Sequence, residues 1–537
     1  MKVVISNMSF YYSDHYNTIF ENVNLILDTD WSLGLIGRNG RGKSTFLNLL
    51  MGKLVPVSGK ISMEVISMEY FPYKVNEKYD KTIDVIKENI GGLKTIEDIM
   101  EEIIATNDES RYNVYSDMQE KYAELSGYEM KARILKEMAD MNLDEKLAYR
   151  DFRTLSGGEK TRMMIIVLFL RKSSFVLLDE PTNHLDIDGK EMVAEYLKKK
   201  KGYIVVSHDR DFLDKVTNHI MSINKTDINI EKGNYSTWRK NMDMVEEYEI
   251  KTRDKLEREI KQLERRSKQT RKWASVGNTQ KYAFKCNSRS NGCRSYMHQA
   301  KKSEGNILEN IDTKKKLLLN YEEAKDLQII QNQIVDDECL IKAGKTCFAY
   351  PNSRIIIKDL NVKIHHGDRI WIKGNNGVGK STLLKLLSGE LETDKKIEYA
   401  EGVKISVSSQ ETLWASDFIN ERFETKEKEN QLQLFLSFCD MFDLPDNFLT
   451  RPLETYSSVE LKKVDIARTL SEGNDILFFD EPLNFMDVFF REQLERAILE
   501  YEPTIVFVEH DSRFGSNVSN RVIEVRNNGE VIIKNTL

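Results

Sequence analysis

The chain opens on MKVVISNMSFYY, where apolar residues alternate with others at Val3, Ile5, Met8 and Phe10 with one slip of phase at Asn7, the pattern of a half-buried strand. Short apolar runs recur further along: SLGLI at 32–36, VLLD at 176–179 and YIVVS at 203–207, then RIWIK at 369–373, ILFFD at 476–480 and TIVFVE at 504–509. Runs of this length predict fully buried strands, and TFLNLL and TLLKLL, which follow the first strand of each set closely, carry helical spacing. The middle of the chain has a different pattern. Residues 242–273 hold no Pro or Gly and place Val245, Tyr248, Leu256, Ile260 and Leu263 near helical spacing, and a second helical run follows over about 295–327. Breaks at 276–278 and 291–292 predict an antiparallel helix pair with an irregular tip. A helix of that size reaches about 45 Å at about 1.5 Å per residue.

The junctions between predicted strands and helices carry the candidate chemistry. GRNGRGKS, Gly37 to Ser44, and GNNGVGKS, Gly374 to Ser381, each link an apolar strand to an amphipathic helix. A glycine-rich loop in that position wraps phosphates with backbone N–H groups, aided by the helix N-terminus. The candidate nucleotide contacts are Gly37, Asn39, Gly40, Gly42, Lys43, Ser44 and Thr45 in the first loop. In the second they are Gly374, Asn376, Gly377, Gly379, Lys380, Ser381 and Thr382. The lysines are placed to meet the β- and γ-phosphates, and Ser44 and Ser381 to ligate Mg²⁺. Asp179 and Asp480 end apolar strands and are expected to hold Mg²⁺ through water; Glu180 and Glu481 follow as candidate general bases. His208 and His510 each lie just past a later strand, as candidate γ-phosphate sensors. Tyr12 and Tyr350, upstream of each loop, are candidates for stacking on adenine.

Offsets expose an internal repeat. Lys43 and Lys380 are 337 apart, as are Tyr73 and Gln410, whereas Asp179 and Asp480 are 301 apart. The first copy therefore carries 36 extra residues after Tyr73, expected within about 85–125 as a small helical arm. The expected domains are 1–238, 239–334 as a helical connector and 335–537.

LSGGE at 155–159, VLLDEPTNHLD at 176–186, the paired histidines and GNYSTW at 233–238 before a charged helical connector resemble the F subfamily of ATP-binding cassette proteins. The resemblance covers nearly the whole chain. It implies an α/β fold of two tandem P-loop cassettes joined by a helical hairpin, with each nucleotide completed by the signature of the other cassette. Ser156, Gly157, Gly158 and Glu159 match that signature in the first copy, and Ser457 and Ser458 in the second. The family binds ATP and Mg²⁺, lacks membrane domains and acts on ribosomes, reaching rRNA and tRNA near the exit site and the peptidyl-transferase centre. The variant EPLNFMD of the second copy and the long connector tip are similar to the branch that protects ribosomes from antibiotics. A housekeeping translation factor is the alternative, and a transporter's ATPase subunit a more distant one. Two features depart from the family pattern. Tyr73 stands where a Gln is usual, whereas Gln410, a Mg²⁺ and nucleotide contact, is kept in the second copy. The second signature, YSSVE, lacks both glycines. Head-to-tail pairing puts both departures in one composite site, so an asymmetric ATPase is expected.

Charge bears on the partner. The net charge of the 537 residues is -7, yet residues 251–302 hold 16 Lys or Arg against 4 Asp or Glu, and residues 265–303 hold 11 basic residues and no acidic one. A basic run of this length in an acidic protein is suited to a polyanion. Arg265, Arg266, Lys268, Arg271, Lys272, Lys281, Lys285, Arg289 and Arg294 are the candidate RNA contacts, with Trp273, Tyr282, Phe284 and Tyr296 as stacking candidates. The longest apolar run, 163–170, is far below the roughly 20 residues of a membrane span. The five cysteines have no zinc or CxxC spacing. A cytoplasmic monomer with its two cassettes paired within the chain is expected.

Overall fold

The structure, a computed structural model, describes residues 2–12, 18–63, 67–106, 109–171, 174–183, 185–224, 228–245, 247–248, 258–261, 265, 329, 339–351, 355–375, 377–393, 397–410, 418–419, 429–445 and 448–535. Met1–Ser236 and Asp326–Leu537 form one compact unit that holds both copies of the repeat, and Thr237–Lys325 form another. The expected connector tip, with all the candidate RNA contacts except Arg265 and all the stacking candidates, lies outside the described residues, as do Asn376, Cys286 and Cys293.

The first copy runs β1 (Lys2–Phe10), β2 (Phe20–Asp28), β3 (Ser32–Gly37), α1 (Lys43–Leu50), β4 (Ser58–Met63) and β5 (Ser67–Phe71). Four helices follow, α2 (Thr82–Glu88), α3 (Leu93–Thr106), α4 (Tyr112–Glu124) and α5 (Gly127–Asp140). It closes with α6 (Gly157–Leu170), β6 (Ser174–Asp179), α7 (Ile187–Lys198), β7 (Tyr203–Val206), α8 (Arg210–Val216), β8 (His219–Ile223) and β9 (Ile228–Lys232). The second copy runs β10 (Cys339–Phe348), β11 (Ile357–His365), β12 (Arg369–Lys373), α9 (Lys380–Leu387), β13 (Glu398–Tyr399), β14 (Ile405–Ser408) and α10 (Glu429–Met441). Then come α11 (Ser458–Ser471), β15 (Ile476–Asp480), α12 (Val488–Tyr501), β16 (Ile505–Val508), α13 (Ser512–Val518), β17 (Arg521–Val525) and β18 (Val531–Asn535).

Both copies build the same two sheets. A three-stranded antiparallel sheet, β2-β1-β4 or β11-β10-β13, accompanies a six-stranded sheet of order β5-β6-β7-β3-β8-β9 or β14-β15-β16-β12-β17-β18. In the larger sheet only the last strand is antiparallel. β3 and β7 are buried along their whole length, which is why their sequences read as continuous apolar runs. β1 shows the alternation of its sequence, with Val3, Ile5, Met8 and Phe10 turned into a core shared with Phe46, Leu47 and Leu50 of α1.

Strand pairing fixes how the two copies align. Phe71 lies opposite Leu178 and Ser408 opposite Phe479, so Tyr73 and Gln410 occupy equivalent places two residues beyond β5 and β14. α5 and α10 correspond with an offset of 301, so the extra residues of the first copy precede α5, and α3 and α4 fill that stretch. Tyr122 of α4 is buried and donates to Glu97 Oε1 of α3 at 2.7 Å.

Candidate active site

Because β5, β6, β7 and β3 are parallel neighbours, the loops at their carboxyl ends meet on one edge of the sheet, where open α/β sheets bind ligands. The order along that edge is Tyr73, then Asp179 and Glu180, then His208, then the phosphate loop. The second copy gives Gln410, Asp480 and Glu481, His510 and its own loop.

Each phosphate loop turns into its helix through a glycine in the left-handed region, Gly42 at φ 90° and Gly379 at φ 108°. A Cβ on Gly42 would lie 2.6 Å from Cγ2 of Ile19, and one on Gly379 2.4 Å from Cγ2 of Ile356, so glycine is required for both conformation and space. Lys43 Nζ donates to the carbonyls of Gly37 at 2.7 Å and Arg38 at 3.2 Å and to Asn39 Oδ1 at 3.3 Å. Lys380 Nζ donates to the carbonyls of Gly374 and Asn375, both at 3.0 Å. Burial lowers the pKa of both lysines, against the pull of the nearby carboxylates. The Tyr12 and Tyr350 rings are about two-fifths exposed. Their hydroxyls lie 3.1 Å from Thr45 Oγ1 and 3.4 Å from Thr382 Oγ1, which holds each ring beside its phosphate loop.

Ser44 Oγ lies 3.3 Å from Asp179 Oδ2, and Ser381 Oγ lies 3.2 Å from Asp480 Oδ1. A hydroxyl and a carboxylate converging beside the phosphate lysine fit the oxygen-rich, partly hydrated coordination that Mg²⁺ prefers, and bound there it would neutralise phosphate charge.

The carboxylates placed for general-base work differ between the copies. Glu180 and Glu481 share left-handed backbone, φ 51° and 50°, and each lies 3.3 Å from a histidine nitrogen, His208 Nε2 beside Glu180 Oε1 and His510 Nε2 beside Glu481 Oε1. Around Glu481, Asn484 Nδ2 donates to Oε2 at 2.5 Å and Gln410 Nε2 lies 3.4 Å from the same oxygen. Burial alone would raise the Glu481 pKa, but His510 and Asn484 outweigh it and the net shift is downward. Around Glu180 the backbone amide of His208 is a donor, and the buried Oε1 receives no hydrogen bond among the described residues. Burial, with the neighbouring Asp179 charge adding to it, pushes the Glu180 carboxyl up to about 8. Tyr73 does not take the place of Gln410. Its hydroxyl turns to the Met164 carbonyl of α6 at 3.4 Å, and its ring lies under the Arg171 guanidinium, 5.3 Å away. The carboxylate partner on that strand is Tyr70, whose hydroxyl donates to Asp179 Oδ2 at 2.8 Å.

Both signatures begin a helix through a reciprocal capping box, Ser156 with Glu159 and Ser457 with Glu460. Gly157 has open space around its missing side chain. In the second copy, Ser457 and Ser458 are exposed, while Val459 packs against the core rather than crowding the loop.

Contacts join the copies near the first phosphate loop. The Asn39 amide N–H donates to Asp487 Oδ2 at 2.8 Å, Asn39 Nδ2 donates to the Phe485 carbonyl at 2.9 Å, and Arg38 pairs with Asp443. Lys190 Nζ donates to the His510 carbonyl at 3.2 Å while pairing with Asp209 at 3.0 Å. Away from the loops, buried Arg210 pairs with Glu495 at 2.7 Å and Tyr235 donates to Glu492 at 2.7 Å. Sequence reasoning missed this set, since nothing in a single charged residue marks a partner some 285 positions away.

Comparison with known proteins matches this geometry. The ABC transporter family model matches twice, over residues 20–183 and 357–484. The ribosome protection protein VmlR of Bacillus subtilis is 26% identical, with 98% of this chain aligned to 87% of that protein. ABC transporter F family member 2 of Arabidopsis thaliana is 25% identical, over 95% of this chain and 75% of that protein. Among solved structures, the archaeal ribosome recycling factor aABCE1, in complex with the ribosomal stalk protein aP1, has a TM-score of 0.56 over 98% of this chain and 89% of that one. At 19% identity it is a likeness of fold. Among the described residues no helix is long and apolar enough to cross a membrane. Matched over more than half its length and folded twice on the same strand order, the chain belongs to the ABC transporter family, as an ATP hydrolase with two tandem ATP-binding cassettes.

Proposed function

We propose that this chain is a cytoplasmic ribosome-binding ATPase of the F type. It closes on two MgATP, enters the tRNA exit and peptidyl-transferase region through its basic connector, protects the ribosome from antibiotics and leaves after hydrolysis. The observation that carries this is the joining of two cassettes by a connector whose 265–303 stretch holds 11 basic and no acidic residues. Full-length relatedness to a ribosome protection protein supports the same reading. Hydrolysis removes the γ-phosphate that holds the halves together, so a chain unable to hydrolyse stays on its target.

Within this reading the two composite sites are unequal. The fuller one is assigned to Lys380, Gln410, Asp480, Glu481 and His510, completed by Ser156 to Glu159. The weaker one combines the first phosphate loop with Ser457 and Ser458. The side-chain amides of Asn484 and Gln410 around Glu481, against the unbonded Oε1 of Glu180, support the assignment.

The test is ribosome co-sedimentation of the Glu180→Gln, Glu481→Gln double variant with ATP. Accumulation on ribosomes is expected, weakening with rising salt because Lys and Arg contacts to phosphates release counterions. Failure to accumulate would remove the proposal. Growth with and without ribosome-targeting antibiotics then separates protection from a housekeeping translation role: a benefit only with drug supports protection, and a benefit only without it overturns that part.

A further inference from the structure

The helix behind each signature differs in kind between the copies. α6 buries Met163, Ile165, Ile166, Val167, Leu168 and Leu170, whereas α11 buries Lys462, Lys463, Asp465, Arg468, Thr469 and Ser471 among its own residues. Lys462, only 5% exposed, is the informative one. An ammonium has three N–H donors, and here they have three acceptors: the Ser409 carbonyl at 2.9 Å, the Asp480 carbonyl at 3.2 Å and Ser408 Oγ at 3.4 Å. Two of these belong to the end of β14, next to Gln410, and the third is the backbone of the proposed Mg²⁺ carboxylate.

A charge buried this deeply needs compensation, and it is present. Asp465 on the same helix accepts from Ser408 Oγ at 2.5 Å and pairs with Arg468 at 3.0 Å. Glu509, also buried, accepts from the amides of Leu483 at 2.7 Å and His510 at 2.9 Å, tying the loop after Glu481 to the switch histidine. The first copy has Thr161 in place of Lys462, with no ammonium to bridge the strand ends, and Ser207 in place of Glu509, whose hydroxyl lies 3.3 Å from Thr182 Oγ1 and accepts from the Asp209 amide at 3.2 Å.

We infer that Lys462 is a positioning residue that links the two ATP sites: it rides on the helix whose first turn is the second signature, and it holds the backbone carrying Gln410 and Asp480 of the other site. The inference rests on the proposed pairing, in which that signature serves the first phosphate loop. The capping box makes Ser457 to Glu460 continuous with α11, and Lys462 lies about 6 Å along the helix axis from Ser458 at about 1.5 Å per residue. A shift of the signature toward nucleotide is therefore delivered to the two carbonyls that Lys462 grips. Gln410 and Asp480 act on nucleotide, metal and water; Lys462 acts through them.

The test is steady-state ATPase kinetics of the full chain with Lys462→Met, which keeps length and loses every N–H, and Lys462→Gln, which keeps two donors. Melting curves identify any variant that is not folded. Lys462→Met is expected to lose about tenfold in kcat with KM for ATP nearly unchanged, since small misplacement of reacting groups acts on turnover. Lys462→Gln recovers part of that loss, and it carries the test alone if the Met variant does not fold. Adding Ser458→Arg, which obstructs the signature, is expected to lower kcat in the wild type and to add little in either Lys462 variant. An unchanged kcat in folded variants, a change confined to KM, or fully additive losses with Ser458→Arg would overturn the inference. The series is repeated in Glu180→Gln. If that single change abolishes turnover, the unequal-site reading fails while the wild-type series still decides the role of Lys462.

Discussion

The two cassettes share one topology and fill some of the same positions with opposite chemistry, Met164 and Val167 of α6 corresponding to Asp465 and Arg468 of α11. Behind the first signature, α6 packs Met163, Ile166 and Val167 as an ordinary apolar core, and its neighbour Tyr73 turns away from the nucleotide edge. Behind the second, α11 buries a hydrogen-bonded charge network that ends on the residues beside Gln410 and Asp480. In the first copy one carboxylate oxygen of Glu180 is left without a hydrogen bond among the described residues; in the second, Glu481 receives a side-chain amide from Asn484 and has Gln410 beside it. The two copies keep one scaffold and differ in how many side chains hold the carboxylates proposed as bases.

The interface gives the largest expected effect and a direct way to break the comparison. Arg210 of the first copy is buried against Glu495 of the second, while Ser512, its counterpart, forms no ion pair among the described residues. Arg210→Ala is expected to destabilise the chain by about 3–5 kcal/mol by leaving a buried carboxylate without its cation. Ser512→Ala should change stability by less than about 0.5 kcal/mol. Urea unfolding measures both, and similar values for the two would remove the asymmetry of the interface.

A smaller effect sharpens the contrast at the strand ends. Gln410→Ala is expected to lower kcat by about tenfold or more, because it removes an amide held next to the proposed base and the proposed Mg²⁺ site. Tyr73→Phe should leave turnover within about twofold, its hydroxyl being engaged with the Met164 carbonyl instead. Turnover assays at saturating ATP distinguish the two, and a large loss in Tyr73→Phe would mean that this residue does reach the nucleotide. Smallest of all, Tyr350→Phe and Tyr12→Phe each remove one hydroxyl contact to a phosphate-loop threonine, worth about 0.5–1.5 kcal/mol. A rise of a few-fold in KM is expected for Tyr350→Phe, with a lesser one for Tyr12→Phe, if turnover reports mainly the second phosphate loop.

Much of the fold was legible because the strands are short, buried and followed at once by their functional loops. VLLD, YIVVS and SLGLI have no solvated face to blur their pattern, and the constant offsets aligned Tyr73 with Gln410 before any strand was paired. The helices α3 and α4 were legible too, since they keep an amphipathic period over several turns. The inner side of the second site was not. Lys462, Asp465 and Glu509 are charged residues, and in a sequence charge reads as surface; only their three-dimensional neighbours reveal that they are buried and bonded. One signal was available: the helix after YSSVE is charged at positions where the helix after LSGGE is apolar, although both must pack on the same sheet. That Val459 packs against the core rather than standing over the signature was not legible either, because its direction depends on the turn of a helix that the capping box sets. The pairing of Tyr70 with Asp179 carried no sequence signal, as a tyrosine in a strand reads as packing.

The unequal-site account is tested most directly by comparing the ATPase rates of Glu180→Gln and Glu481→Gln in the full chain under saturating MgATP. Loss of general-base action in Glu481→Gln is expected to cost about 100-fold in kcat, while Glu180→Gln keeps about half of the wild-type rate or more. Equal losses in the two variants, or a greater loss in Glu180→Gln, would contradict it.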